Sequence, residues 1–169
     1  MIKVGKFEKV SYERFAEEWT KHIGTGNIRE IYDSLKLPER ATAGSAGYDF
    51  YAPVDIVIAP GEQIFIPTGI RARIEPGWTL MMFPRSGLGF RYRLQLNNTV
   101  GIIDSDYYEA ENEGHIMCRL TNDTHEDKTV EISAGQGMLQ GIFVPFGITE
   151  DDEAEGIRTG GFGSTTERK

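Results

Sequence analysis

From Pro38 onward the chain is a succession of short runs rich in β-branched and aromatic residues, each cut off by Gly, Pro or Asn. The stretch "DIVIAPGEQIFIPTGIRARIEPGWTLMMF" holds several such runs, with "APGE" and "EPGW" as turns. "HIMCRLTN", "TVEISAGQ" and "MLQGIFVPF" continue the pattern. Short strands so regularly spaced predict a mainly β sandwich or jelly roll. At 169 residues the chain reads as a single domain. A chain of this size buries about 70% of its unfolded surface, so its core needs neither disulfide nor metal.

The first third has a different period. "IKVGKFEKV" predicts an opening strand; then Phe15, Trp19 and Ile23 fall at i, i+4 and i+8, with Ser11 as a helix cap and Gly24 as a stop. Ile28, Ile31, Tyr32 and Leu35 repeat the helical spacing before Pro38. Two short amphipathic helices are expected between about 11 and 36, their apolar faces serving either the core or a protein partner.

Charge and cysteine content narrow the function classes. A net charge of −8 argues against a general nucleic-acid binder, while local arginines still permit a small phosphorylated ligand. The single Cys118, inside the alternating run "HIMCRL", reads as a buried, inert thiol. His22, His115 and His125 are scattered without zinc-type spacing and read as solvent-facing. One cysteine and the lack of a signal-peptide pattern predict a cytoplasmic protein. No apolar run approaches the length of a membrane span.

Four stretches have residues suited to chemistry. "GIIDSDYYEAENEGHI" sets Asp104 and Asp106 around Ser105, then Tyr107 and Tyr108, then alternating Glu109, Glu111 and Glu113. It fits a solvated turn, a metal site, or a base beside a ring-shaped substrate. "FPRSGLGF" puts Arg85 and Ser86 before glycines, which suits a phosphate but also an ordinary turn. In "SAGYDFYA", Asp49 sits within an apolar strand and needs a paired charge or a nearby cation. "RTGGFGSTTERK" surrounds Phe162 with glycines and hydroxyls, either as a disordered tail or as a ring that stacks on a base. Ahead of it, "ITEDDEAEGI" is an acidic, solvated linker.

In order along the chain, "SAGYDFYA", "PRSGLG", "NNTVGIIDSDY", "GQGMLQGIFVP" and "RTGGFGST" resemble the five motifs of the trimeric dUTP diphosphatases (dUTPases), with "IPTGI" between them. The resemblance runs from about Leu37 to Thr165. It implies a β jelly roll with a flexible glycine-rich arm over 157–169, and a homotrimer in which three chains build three shared sites. It also implies magnesium-dependent hydrolysis of dUTP to dUMP and pyrophosphate, keeping uracil out of DNA and supplying dUMP for dTMP synthesis. By motif, Asp104 would activate the water that attacks the α-phosphate, and Tyr107 would pack on the deoxyribose. Asn98, Gly101, Ile102, Ile103 and Met117 would read the uracil edge. Arg85, Ser86, Gly87 and Gln140 would bind phosphates, and Asp49 would meet Mg2+ through water. Phe162 would stack on uracil while Arg158, Gly163, Ser164 and Thr165 close over the phosphates. A jelly roll of this pattern is not expected to bring "GIIDSDY" and the distal tail together within one chain.

The chain departs from the family pattern in three places. An acidic extension over 108–113 separates Tyr107 from Gly114, either as a longer surface loop or as a segment that approaches the site and alters substrate choice. Residues 11–36 are inserted after the first strand, and the spacing from Arg158 to "GGF" is one residue shorter than usual. Two rivals remain: a dCTP deaminase of the same fold, which would use a glutamate base, and a regulatory module that binds a protein through the inserted helices.

Overall fold

A computed structural model of the protein describes residues 1–156 together with Arg158, Gly160 and Gly161. In chain order these residues form β1 (Gly5–Lys9), α1 (Tyr12–His22), α2 (Ile28–Ser34), β2 (Glu39–Arg40), β3 (Tyr48–Tyr51), β4 (Ile56–Ile58) and β5 (Gln63–Ile74). There follow β6 (Trp78–Pro84), α3 (Ser86–Tyr92), β7 (Leu94–Leu96), β8 (Gly101–Ile103), a 3-10 turn (Ser105–Glu109), β9 (Ile116–Asn122), β10 (Val130–Ile132) and β11 (Gly137–Pro145). The expected mainly β, jelly-roll-like architecture is what forms.

Turn chemistry sets the strand boundaries. In "APGE" and "EPGW", Pro60 and Pro76 precede Gly61 and Gly77, whose φ values of 79° and 82° belong to the third position of a type II turn. The turns close through Glu62 N–H to Ala59 O (3.0 Å) and Trp78 N–H to Glu75 O (3.2 Å). The strands assemble as a sheet β1-β5-β9-β7, a sheet β2-β3-β11-β6-β8, and a small pair β10-β4. Alternate residues, such as Ile116, Cys118 and Leu120 of β9, point into a shared core with Phe50, Ile66, Leu80 and Leu139. Cys118 is buried there, its thiol pushed up to about 12 by desolvation, as an inert core cysteine should be.

The inserted helices form where expected. Ser11 Oγ accepts the Arg14 N–H at 3.2 Å and caps α1; Gly24, at φ 134°, follows its end. Phe15 and Trp19 are buried, and with Val10 they make a second small core against Ile28, Ile31, Tyr32 and Leu35. Ile23 does not join it: it caps the helix end and stays exposed. Helix α2 stops at Ser34, because Leu35 turns extended to face the core.

These helices sit on a bulge of β5. The pairing of β5 with β9 slips between Pro67 and Ile70, and Gly69 takes φ 73°. A Cβ on Gly69 would lie 2.3 Å from Leu35 Cδ1 and 3.1 Å from the Phe15 ring, so glycine lets the helices close on the sheet. The apolar face of the insertion is therefore used for packing.

Two expectations need correction. His115 is fully buried rather than solvent-facing: its Nε2 accepts the Gly69 N–H at 2.8 Å. Desolvation lowers its pKa to about 3, so it stays neutral. Second, "RSGLGFRY" is not a plain turn but helix α3, with Gly87 and Gly89 inside it. Leu88 anchors that helix in the core, the Arg85 carbonyl accepts its first N–H groups, and Arg93 at φ 51° ends it. No helix of the described residues is long and apolar enough to cross a membrane.

Candidate active site

The segment from Gly101 to Tyr107 builds one wall of a cavity of about 490 Å³. Among the described residues strand β8 is the terminal strand of its sheet and pairs with β6, Gly101 opposite Met82 and Ile103 opposite Leu80. Its outer backbone edge is therefore available to a ligand. Gly101 lies close to β6: a Cβ there would sit 3.0 Å from that of Met82, which would have to give by a few tenths of an ångström.

Asp104 follows in extended backbone and leads into the 3-10 turn, but its side chain makes no capping bond there. Its carboxylate instead meets the Arg158 guanidinium: Nη2 lies 2.5 Å from Asp104 Oδ2, and Nε lies 2.8 Å from Asp106 Oδ1. One guanidinium thus bridges two carboxylates spaced two residues apart.

Tyr107 is buried beside them. Its hydroxyl donates to His115 O at 2.8 Å and accepts from Asn112 Nδ2 at 2.7 Å. Desolvation raises its pKa, which keeps that hydroxyl protonated. Gly161 lies against the ring, where a Cβ would come within 2.7 Å. Asn98, Ile102, Ile103 and Met117 also line the cavity. Phe65 and Arg119, which belong to none of the five motifs, line it too, with the guanidinium 5.6 Å from the Phe65 ring centre. Period-two spacing from Met117 along β9 was the signal that points to Arg119.

Asp49, Arg85 and Gln140 form a separate group. Asp49 of β3 lies opposite Gln140 of β11 and forms an ion pair with Arg85. Gln140 Nε2 donates to Pro84 O at 3.3 Å. Ser86 and Gly87 are exposed in the first turn of α3. None of these five residues lines the cavity that holds Asp104. The register gives the reason: Gln140 pairs with Phe83 on one side of β6 and Gly101 with Met82 on the other, so the strands are two spacings, about 10 Å, apart.

The start of the C-terminal arm departs from one expectation: its described residues meet this chain's own site. Arg158 and Gly161 reach Asp104 and Tyr107 of their own chain. Pro145, at the end of β11, is opposite Trp78, and Ile103 is opposite Leu80, so the tail leaves the sheet at the end where Asp104 begins. Phe162, Gly163, Ser164 and Thr165 lie outside the described residues.

A family model described as dUTPase matches residues 33–166. The deoxyuridine 5'-triphosphate nucleotidohydrolase of Lactococcus lactis subsp. lactis is 42% identical over 134 residues, 78% of this chain and 88% of that protein. The crystal structure of dUTPase from Streptococcus mutans matches with a TM-score of 0.62 and 36% identity, covering 85% of this chain and 98% of that one. The dUTPase from phage phi11 of S. aureus, 20% identical over 91% of this chain and 97% of its own, with a TM-score of 0.61, shares the fold. With most of its length matched by the family model and a relative this similar, the chain belongs to the dUTPase family.

Proposed function

We propose that the chain hydrolyses dUTP to dUMP and pyrophosphate, with magnesium, by attack of water on the α-phosphate. This removes a precursor of uracil in DNA and supplies dUMP for dTMP synthesis. The observation that carries the reading is the gathering of Asp104, Tyr107, Asn98, Met117 and the outer edge of β8 around one cavity. Asp104 holds the attacking water and takes its proton, a role typically worth about 10²–10⁴ in rate. Backbone and side chain at Asn98, Gly101–Ile103 and Met117 pair with the uracil edge, and mispaired buried groups exclude other bases. The Tyr107 ring packs on C2′, where a ribose hydroxyl would clash. Arg158 moves from Asp104 and Asp106 to the phosphates, which frees the base. Phe162 stacks on uracil, with Gly163, Ser164 and Thr165 closing over the phosphates.

Arg85, Ser86, Gly87 and Gln140 bind phosphate from a neighbouring chain. Their position outside the Asp104 cavity supports a homotrimer with shared sites. Among the described residues no group of three or more His, Cys, Asp or Glu converges on an ion. A magnesium carried by a triphosphate needs none, because it keeps several waters and takes one or two carboxylates. Asp49, partly exposed beside Arg85, would hold such an ion through water; bound there, the ion would supply positive charge against the phosphates. Pyrophosphate release measured with dUTP, dCTP, dTTP and UTP in magnesium tests the reading. Turnover of dUTP far above the others is expected; ammonia released from dCTP would overturn it in favour of a deaminase.

A further inference from the structure

Two of the three places in which this chain departs from the family pattern, residues 11–36 and 108–113, touch each other, and Tyr107 lies directly behind the contact. Ser11, the cap of α1, donates both its N–H (2.8 Å to Oε2) and its hydroxyl (2.6 Å to Oε1) to Glu113. The two residues are 102 positions apart. Arg14 Nη2, one turn into the helix, donates to Glu111 O at 3.1 Å. Glu111 and Glu113 therefore both dock on α1, and Asn112 between them points the other way, its Nδ2 2.7 Å from the Tyr107 hydroxyl. Around it the loop closes on the tyrosine: Gly114 N–H donates to Asn112 Oδ1 (3.1 Å), His115 N–H to Asn112 O (3.1 Å), and Ala110 N–H to Tyr107 O (3.1 Å).

The loop is not held by its own preferences. Glu113 takes φ 60°, a left-handed conformation that non-glycine residues resist, and Gly114 follows at 68°. A Cβ on Gly114 would lie 2.7 Å from Tyr107 O, so the loop is pressed against the tyrosine backbone. The clamp on Ser11 compensates the unfavourable backbone. Partial burial pushes the Glu113 carboxyl up, but the Ser11 bonds and the charges of Arg71 and Arg14 outweigh it and hold the group ionised.

We propose that Asn112, set by the Glu113 clamp on the α1 cap, is a positioning residue for the Tyr107 ring, and that the helical insertion thereby sets how strictly the site refuses a 2′-hydroxyl. The inference rests on Tyr107 packing against the sugar. A hydroxyl held by both Asn112 Nδ2 and His115 O fixes the ring against C2′ more tightly than one held by His115 O alone. Displacements of about 1 Å at a reacting centre can change rates by up to ~10²-fold.

The test is the ratio of kcat/KM for dUTP to that for UTP, with thermal stability measured alongside. Asn112→Ala removes the anchor. Ser11→Asp keeps an acceptor for the Arg14 N–H, so α1 stays capped, but sets a second carboxylate against Glu113. Both variants should lower the ratio by about tenfold. Adding Glu113→Gln to Ser11→Asp replaces the repulsion with a hydrogen bond and should restore the ratio. A ratio within about twofold of the parent in both single variants, whatever their melting temperatures, overturns the proposal and leaves the loop a structural role only. Tyr107→Ala separates the two layers. If it collapses the ratio while the other variants do not, only this inference fails; if it leaves the ratio unchanged, the sugar-wall reading fails with it.

Discussion

Asp104→Asn distinguishes a base from a mere structural carboxylate, because the two roles predict effects of different size. The substitution keeps shape and one oxygen acceptor while removing the basic oxygen. General-base help of about 10²–10⁴ corresponds to a barrier rise of ~3–5 kcal/mol at about 1.4 kcal/mol per tenfold. The structural cost is far smaller. The Asp104 carboxylate is 45% exposed, and Arg158 keeps its second partner, Asp106, at 2.8 Å. An ion pair this wet is worth about 0.2–1 kcal/mol, which in a protein of this length moves Tm by about 2–4 °C at most. Steady-state pyrophosphate release at saturating dUTP should fall at least about 100-fold, while thermal unfolding shifts by a few degrees and equilibrium binding of dUTP persists. A kcat within about tenfold of the parent would refute the assignment. Asp106, which shares the Arg158 guanidinium, would then be the next candidate.

Chain sharing is tested by mixing Arg85→Ala with Asp104→Asn, each inactive alone. In a random one-to-one mixture about a quarter of shared sites combine an intact Asp104 with an intact Arg85, so roughly that fraction of activity should return; none returns, despite subunit exchange, if each chain builds its own site. His115 gives a pH dependence: it is neutral when folded, with a pKa of about 3 against an ordinary 6.5. Its contribution is complete above about 6.5 and lost as pH falls toward 3, with a slope of up to about 1.4 kcal/mol per pH unit; urea midpoints from pH 7 to 4 should fall more steeply for the parent than for His115→Gln. Phe15→Ala, at a site with no solvent exposure beside Trp19 and Tyr32, should cost about 3–5 kcal/mol in urea unfolding. A loss below about 1 kcal/mol would mean that the inserted helices do not pack on the sheet as described.

Features whose cause is local were legible in the chain itself. The turns at Gly61 and Gly77, the Ser11 cap and the Phe15–Trp19 spacing each depend on contacts within a few residues, and each formed where the residues indicated. The order of five motifs identified the family because order survives without coordinates. Tertiary structure decided what depends on residues far apart. His115 looked like a solvent-facing ring until the β5 bulge supplied Gly69 N–H and the helices covered it. Glu113 looked like one acid in a solvated run until Ser11 arrived from the start of the chain. Arg158 found its own chain's Asp104 because β11 and β8 end on the same side of the sheet. Asp49 and Arg85 lie across β6 from the Asp104 cavity of their own chain, a separation that strand order and register set. Sequence spacing carries the period of a helix or the chemistry of a turn, whereas the partner of a buried or charged group is chosen by strand order and register, which join residues a hundred positions apart.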